Sequence, residues 1–163
     1  MTRRGICLHH SATADGGSSS WGAIRHGHTA VNGWQAIGYH FGIERIDDGA
    51  GRRHVEVLVG RDYHLPGAHE PKLNRTHLGV CVVGNYDLAP PPPELWRAAV
   101  HQVAHLALAN RLDVTAPGVI VGHREVAAKS CPGKLFDLDR FRFDVQARVQ
   151  ALSHDPAAER VYW

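Results

Sequence analysis

The chain has 163 residues, a length that suits one domain with a single buried core. Hydrophobic residues make up 44% and charged residues 21%, proportions typical of a soluble globular protein. The net charge of +2 is too small to indicate nucleic-acid binding, and no apolar run reaches the ~18 residues that a membrane-spanning helix needs. We therefore expect a globular protein with no nucleic-acid partner and no membrane insertion.

Hydrophobic spacing predicts strands and helices that alternate along the chain. In chain order, the predicted elements are a strand over 5–10, a helix within 18–34, strands over 37–46, 54–61 and 78–86, a helix from Glu94, a strand over 118–123 and a helix over 139–152. This order predicts an α/β fold with a mixed central sheet of about five strands, flanked by helices. We expect a single domain over residues 1–154 and a loose tail over 155–163.

Two of the predicted strand regions have distinctive patterns. In the run 37–46, the odd-numbered residues from 37 to 43 are apolar or aromatic, which predicts that they share one face. A turn separates this run from 54–61, so the two are expected to pair as a hairpin. The run 78–86 is almost entirely apolar, which predicts a central strand buried on both faces.

Histidine is abundant, with 13 residues against a single methionine. It is a frequent metal ligand and proton carrier, although most of these side chains are expected at the surface or in caps. The three cysteines are an odd number and form no closed set of disulfides. Cys7 and Cys81 lie in apolar runs and are expected to be buried thiols. Cys131 lies in a polar loop with glycine and proline, where a buried thiol fits poorly.

Histidines at two predicted strand ends and one loop cysteine form a candidate metal site. His9 or His10 ends the first strand, and neighbouring strand residues point to opposite faces, so one of them faces a metal. His123 ends a later strand, and Cys131 follows it by eight residues. Catalytic zinc typically has three such protein ligands and one open position. Histidine and cysteine are common residues, so the spacing alone leaves a metal site and unrelated roles both open.

Four motifs are specific when taken together: ICLHHSAT (6–13), IGYHF (37–41), GAHEPKLNRTHLGVCVVGNYD (67–87) and GHREVAAKSCPGKLFD (122–137). In this order they resemble the type 2 N-acetylmuramoyl-L-alanine amidases, a family that includes phage endolysins. That family shares its fold with animal peptidoglycan recognition proteins. The chain looks most similar to the short phage lysozyme-type enzymes, and the resemblance extends from Ile6 to Phe136.

The resemblance implies one zinc ion per chain, with His9, His123 and Cys131 as its ligands. Many family members carry aspartate at the last of these positions, and the cysteine here retains a group that can bind metal. The position after the first ligand varies in the family, so His10 is expected to be a neighbour of the site.

Four further residues match positions of this family. The resemblance places Tyr39 beside the metal-bound water and Lys129 where it stabilises charge on the substrate oxygen. His69 and Asn74 match positions that line the substrate groove. Each residue has a plainer alternative: a packed strand tyrosine, a solvated loop lysine and, for the last two, hydrogen bonds that order a loop.

The resemblance implies a monomeric zinc amidase that hydrolyses the bond between the lactyl group of muramic acid and L-alanine in bacterial peptidoglycan, as a phage-type endolysin. The alternatives are a non-catalytic peptidoglycan-binding module, a cytoplasmic enzyme that recycles muropeptides, and a zinc-free hydrolase with Cys131 as nucleophile and His123 as base. The first residues lack the apolar core of a signal peptide. We therefore expect synthesis in the cytoplasm, and action on the cell wall after release.

Overall fold

The computed structural model describes residues 2–13 and 21–154, so the predicted tail over 155–163 lies outside the described residues. The five strands are β1 (Gly5–His10), β2 (Phe41–Asp47), β3 (Arg53–Val59), β4 (His77–Val82) and β5 (Ile120–Gly122). The α-helices are α1 (Trp21–His26), α2 (Pro93–Ala109) and α3 (Leu138–Ser153). A π-helical turn (Gly27–Val31) continues α1, and a 3-10 turn (His123–Glu125) follows β5. The predicted α/β fold is confirmed.

The strands form one mixed sheet in the order β3-β2-β4-β1-β5. Strands β2, β4, β1 and β5 pair in parallel, and β3 pairs antiparallel with β2 as the predicted hairpin. Every residue of β1 and β4 is buried, which confirms the prediction of a central strand covered on both faces. Parallel strands of this kind need covering layers on both sides, and the connecting segments supply them.

One face of the sheet packs against α2 and α3. Pro93 begins α2 at a position where its missing N–H costs no hydrogen bond, and the carboxylate of Asp137 caps α3 by accepting from the backbone N–H of Arg140 at 3.0 Å. The side chains that meet between the sheet and these helices are fully buried and apolar, among them Ile6, Leu8, Leu78, Val80, Val82, Leu95, Ala99, Val103, Phe141 and Val145. This face is the main hydrophobic core.

The opposite face carries the other alternate residues of the same strands, and here one prediction is wrong. Strand β2 begins at Phe41, later than the run 37–46 predicted. Phe41 and Ile43 pack towards the main core, whereas Ile37 and Tyr39 pack with Trp21 on the other side. The four side chains do not share a face, because strict alternation holds only within a regular strand and residues 37–40 precede it.

Among the described residues, none of the helices combines the length and the apolarity needed to cross a membrane.

Candidate active site

The three side chains that were expected to bind metal converge at one end of the sheet. His9 is the last but one residue of β1, and His123 directly follows β5. These two strands are parallel neighbours, so their carboxyl ends meet at the same edge. Cys131 reaches this edge from the loop before α3. The ligand atoms of the three residues all lie within 4.8 Å of one another.

The one separation that is resolved between two of these atoms fits a tetrahedral zinc ion. The Sγ atom of Cys131 lies 3.6 Å from Nδ1 of His9. Zinc bonds of ~2.3 Å to sulfur and ~2.0 Å to nitrogen, at tetrahedral angles, separate the two ligand atoms by about the same distance. His9 and His123 are buried, whereas Cys131 is half-buried. The cluster therefore opens towards solvent on the side of the cysteine loop.

His10 points away from this cluster. Its Nδ1 atom accepts a hydrogen bond from the backbone N–H of Tyr86 at 3.1 Å, and the two rings lie 6.1 Å apart. Its backbone remains close to the site, since the N–H of His10 donates to Sγ of Cys131 at 3.4 Å. The strand alternation thus brings only one of the two neighbouring imidazoles into the cluster.

His69 lies directly behind His9. Nε2 of His9 is 3.1 Å from Nδ1 of His69, and Nε2 of His69 is 3.3 Å from the carbonyl oxygen of His77. Burial lowers the pKa of His69 to about 3, so its ring is neutral, donates to the carbonyl and accepts from His9. A Cβ atom at Gly67 or Gly79 would collide with this ring, so both glycines make room for it. A role of His69 in the substrate groove stays a prediction.

Asn74 orders the loop that carries His69. Its Oδ1 atom accepts from the backbone N–H groups of His69 at 2.8 Å and Glu70 at 2.9 Å. These bonds match the plainer of the two roles considered for Asn74. Direct contact with a substrate stays a prediction for this residue as well.

Glu70 is a component of the site that the sequence reasoning missed. Its Oε2 atom lies 2.9 Å from Nε2 of His123, and both side chains are buried. Burial opposes ionisation of Glu70, but hydrogen bonds from the backbone N–H of Lys72 and from His123 hold the pKa of the carboxyl below its usual value. The available signal was an acidic residue directly after His69 in the motif GAHE.

Cys131 depends on a metal for its thiolate form. Burial raises the pKa of this thiol to about 11, against the opposing effects of the hydrogen bond from the N–H of His10 and the charge of Lys129. Without a metal, the group is therefore a neutral thiol near pH 7. A nucleophilic cysteine needs a lowered pKa, which weighs against the zinc-free hydrolase. A bound cation would stabilise the thiolate.

Tyr39 and Lys129 border the cluster from two sides. The ring of Tyr39 lies 5.1 Å from that of His9, and burial raises the pKa of the phenol, which therefore stays protonated. Lys129 is exposed on the loop before Cys131. Burial lowers the pKa of His9 and raises the pKa of Cys131, and the positive charge of Lys129 lowers both values by a smaller amount. The phenol can donate a hydrogen bond, and the ammonium group adds positive charge at the open side.

A second trio, Cys7, His9 and His69, also has ligand atoms within 4.8 Å of one another. It is a poorer metal site for two reasons. Burial raises the pKa of Cys7, which is completely inaccessible to solvent. The facing nitrogens of the two histidines are already joined by a hydrogen bond. The trio with Cys131 is open to solvent, and His9 faces Cys131 with Nδ1, so the hydrogen bond from Nε2 of His9 to His69 can stay in place.

Fold and site together define a small α/β protein with a His/His/Cys cluster suited to zinc at the carboxyl end of its sheet. A family model described as N-acetylmuramoyl-L-alanine amidase matches residues 1–134. The endolysin of Klebsiella phage KP32 is 35% identical over 136 residues, which are 83% of each chain. The Drosophila melanogaster peptidoglycan-recognition protein LB is 32% identical over 106 residues, which are 65% of this chain but only 41% of the relative.

Solved structures agree with this match. The amidase LysC from Clostridium intestinale superposes with a TM-score of 0.72 at 22% identity, covering 89% of this chain and 86% of LysC, which supports the fold. A point mutant of Drosophila recognition protein LB, solved in complex with tracheal cytotoxin, superposes with a TM-score of 0.65 at 27% identity, covering 83% of this chain and 78% of that protein.

The chain belongs to the N-acetylmuramoyl-L-alanine amidase family, which confirms the resemblance carried by the four motifs. It is an enzyme of this amidase class, and several of its sequence relatives are phage endolysins.

Proposed function

We propose that this amidase is zinc-dependent, with His9, His123 and Cys131 holding one zinc ion, and that it cleaves the lactyl–L-alanine bond of bacterial peptidoglycan as a monomer. The observation that carries the proposal is the convergence of the three ligand atoms within 4.8 Å, from two strand ends and a loop. The 3.6 Å separation of Cys131 Sγ and His9 Nδ1 supports zinc in particular.

Zinc bound in such a site acts as a Lewis acid and makes hydroxide available from water near neutral pH. Side chains of the protein would stabilise charge, orient the reacting groups and exclude solvent. Lys129 places its positive charge at the open side, where it stabilises the oxygen of the scissile carbonyl as negative charge develops. Tyr39, held protonated by burial, donates a hydrogen bond that orients the attacking water or the carbonyl. The buried histidines exclude solvent from the inner side of the site.

The relatives support the choice of substrate. One structural relative was solved in complex with tracheal cytotoxin, and several sequence relatives are phage endolysins. The mutual 83% coverage with the endolysin of phage KP32 supports action on the cell wall over recycling of soluble muropeptides.

The test is hydrolysis of purified peptidoglycan by the purified protein, followed by the appearance of free L-alanine amino ends. Metal content is measured on the same sample, before and after treatment with a chelator. We expect about one zinc per chain, loss of activity on chelation and recovery with added zinc. Undiminished activity without metal would favour the Cys131–His123 hydrolase instead, and binding to the wall without new amino ends would favour a recognition module.

A second comparison separates the two amidase roles. Turnover on intact cell wall is measured against turnover on a soluble muropeptide at equal concentration of scissile bonds. An endolysin is expected to cleave the intact wall efficiently. Strong preference for the soluble substrate would indicate a recycling enzyme.

A further inference from the structure

A buried carboxylate without an assigned role stands behind one of the two candidate zinc-binding histidines. Oε2 of Glu70 lies 2.9 Å from Nε2 of His123, and the glutamate retains only 6% of its solvent exposure. The residues are 53 positions apart in sequence, so the contact is a product of the fold. A carboxylate is costly to bury without a partner, and this one has its partner at Nε2 of the imidazole.

We propose that Glu70 is a positioning residue that prepares His123 for zinc, an inference that rests on the proposed zinc dependence. An ionised carboxylate only accepts hydrogen bonds, so Nε2 of His123 must carry the proton. With that proton on Nε2, the nitrogen left to offer a lone pair to the metal is Nδ1. A carboxylate in this place also fixes the orientation of the ring and makes its free nitrogen more basic.

Glu70 is itself held in place before any metal binds. Its Oε1 atom accepts from the backbone N–H of Lys72 at 3.1 Å. The ammonium group of Lys72 donates to the carbonyl oxygen of Val126 at 2.9 Å, in the segment that follows His123. Asn74 accepts from the backbone N–H of Glu70 at 2.9 Å. The loop of Glu70 and the turn of His123 are therefore tied at two points, and the pair is preorganised.

The two histidines of the cluster differ in what lies behind them. His9 donates to the neutral ring of His69, whereas His123 donates to the charged Glu70. A divalent ion bound to one thiolate and two neutral imidazoles keeps one net positive charge, and the carboxylate of Glu70 cancels it. In a site whose histidines are buried, this compensation favours retention of the ion.

The experiment measures zinc affinity by competition with a chromophoric chelator, beginning from the zinc-loaded protein. The variants are Glu70→Gln, which keeps the size and one acceptor oxygen but removes the charge, and Glu70→Ala, which removes both. We expect Glu70→Ala to bind zinc about 10- to 100-fold more weakly and Glu70→Gln to fall between it and the wild type. The matched control is Glu56→Gln, a half-exposed carboxylate on β3 whose partner is His54, with an unchanged affinity expected.

Wild-type zinc affinity in both Glu70 variants would overturn the proposal, and it would leave the zinc amidase intact. A wild-type protein that binds no zinc would instead refute the proposed function. A second measurement needs no variant: the side-chain nitrogen resonances of His123 in the metal-free wild type report which nitrogen carries the proton. We expect protonated Nε2 and free Nδ1. The reverse tautomer would overturn the proposal even if a Glu70 variant failed to fold.

Discussion

The two faces of the central sheet are built from alternate residues of the same strands, and they do different work. In β1, Ile6 and Leu8 enter the core beneath α2 and α3, while Cys7 and His9 face the site. In β4, Val80 lies in the same core, and its neighbour Cys81 packs on the site side. A change on the first face should cost stability, and a change on the second should cost chemistry. The predictions below test this division, beginning with the largest effect.

Loss of a candidate metal ligand should abolish activity while the apolar face keeps the fold. For His123→Ala we expect hydrolysis at the level of the uncatalysed background and zinc well below one ion per chain, because two ligands hold the ion poorly. Metal analysis and an amino-end assay on peptidoglycan check both. The control is His54→Ala on the exposed edge strand, which should keep zinc and activity. Near-normal turnover by His123→Ala would remove this histidine from the site.

Loss of the lysine at the open side should slow the reaction and spare the metal. We expect Lys129→Ala to lower turnover by about 10²- to 10³-fold, the usual effect of removing one well-placed donor to a developing oxyanion. Zinc content should remain that of the wild type, because Lys129 is not a ligand. Lys134→Ala, an exposed lysine on the same loop, serves as the matched control. Loss of zinc from Lys129→Ala would contradict the proposed role.

A cavity on the apolar face should lower the stability of the fold and leave the activity unchanged. Leu8→Ala removes a fully buried side chain beneath the helices, and we expect the free energy of unfolding to fall by about 2–5 kcal/mol. Activity per folded, zinc-loaded molecule should stay close to the wild-type value. Denaturant titration and active-site counting separate the two quantities. Leu88→Ala, at a leucine that is 79% exposed, should change stability by no more than about 0.5 kcal/mol.

Acid should destabilise the fold, because it protonates His40, a buried histidine next to His69. Burial lowers the pKa of His40 to about 4 from the ordinary 6.5, with the charges of Arg3 and Arg61 lowering it further and Asp62 and a hydrogen bond to Leu65 opposing. Between pH 6.5 and about 4, His40 is therefore protonated in the unfolded chain but neutral in the folded chain. His40 by itself should therefore lower the free energy of unfolding by about 3 kcal/mol across this window.

Denaturant titrations at several pH values, with a chelator present to remove the effect of metal, measure this slope. His40 accepts from the N–H of Gly79 through Nδ1 at 2.9 Å, and its Nε2 lies 3.1 Å from the carbonyl oxygen of Leu65. Glutamine offers an acceptor and a donor without titrating, so His40→Gln should reduce the slope between pH 6.5 and 4 by the contribution of one proton, while buried His69 keeps its own contribution. An unchanged slope would assign the acid sensitivity to other groups.

Much of the fold could be predicted from sequence because its signals are local. Period-two alternation placed β3, short apolar runs placed β1 and the buried β4, and apolar residues three and four apart placed α2 and α3. The same alternation explains why His9, rather than His10, enters the metal cluster. It failed at Ile37 and Tyr39, which lie before the regular part of β2, where the chain no longer follows strand geometry.

The amino-acid sequence by itself determined which residues have the chemistry for a zinc site, since imidazole and thiol groups and their strand-end positions are written in it. The tertiary structure decided which side chains form hydrogen bonds with these histidines. Glu70 meets His123 across 53 residues, and His69 reaches His9 across 60, through a loop whose path depends on Gly67, Gly79 and Asn74. Periodicity carries no information about such contacts, because they arise from packing between loops and strands that are distant along the chain.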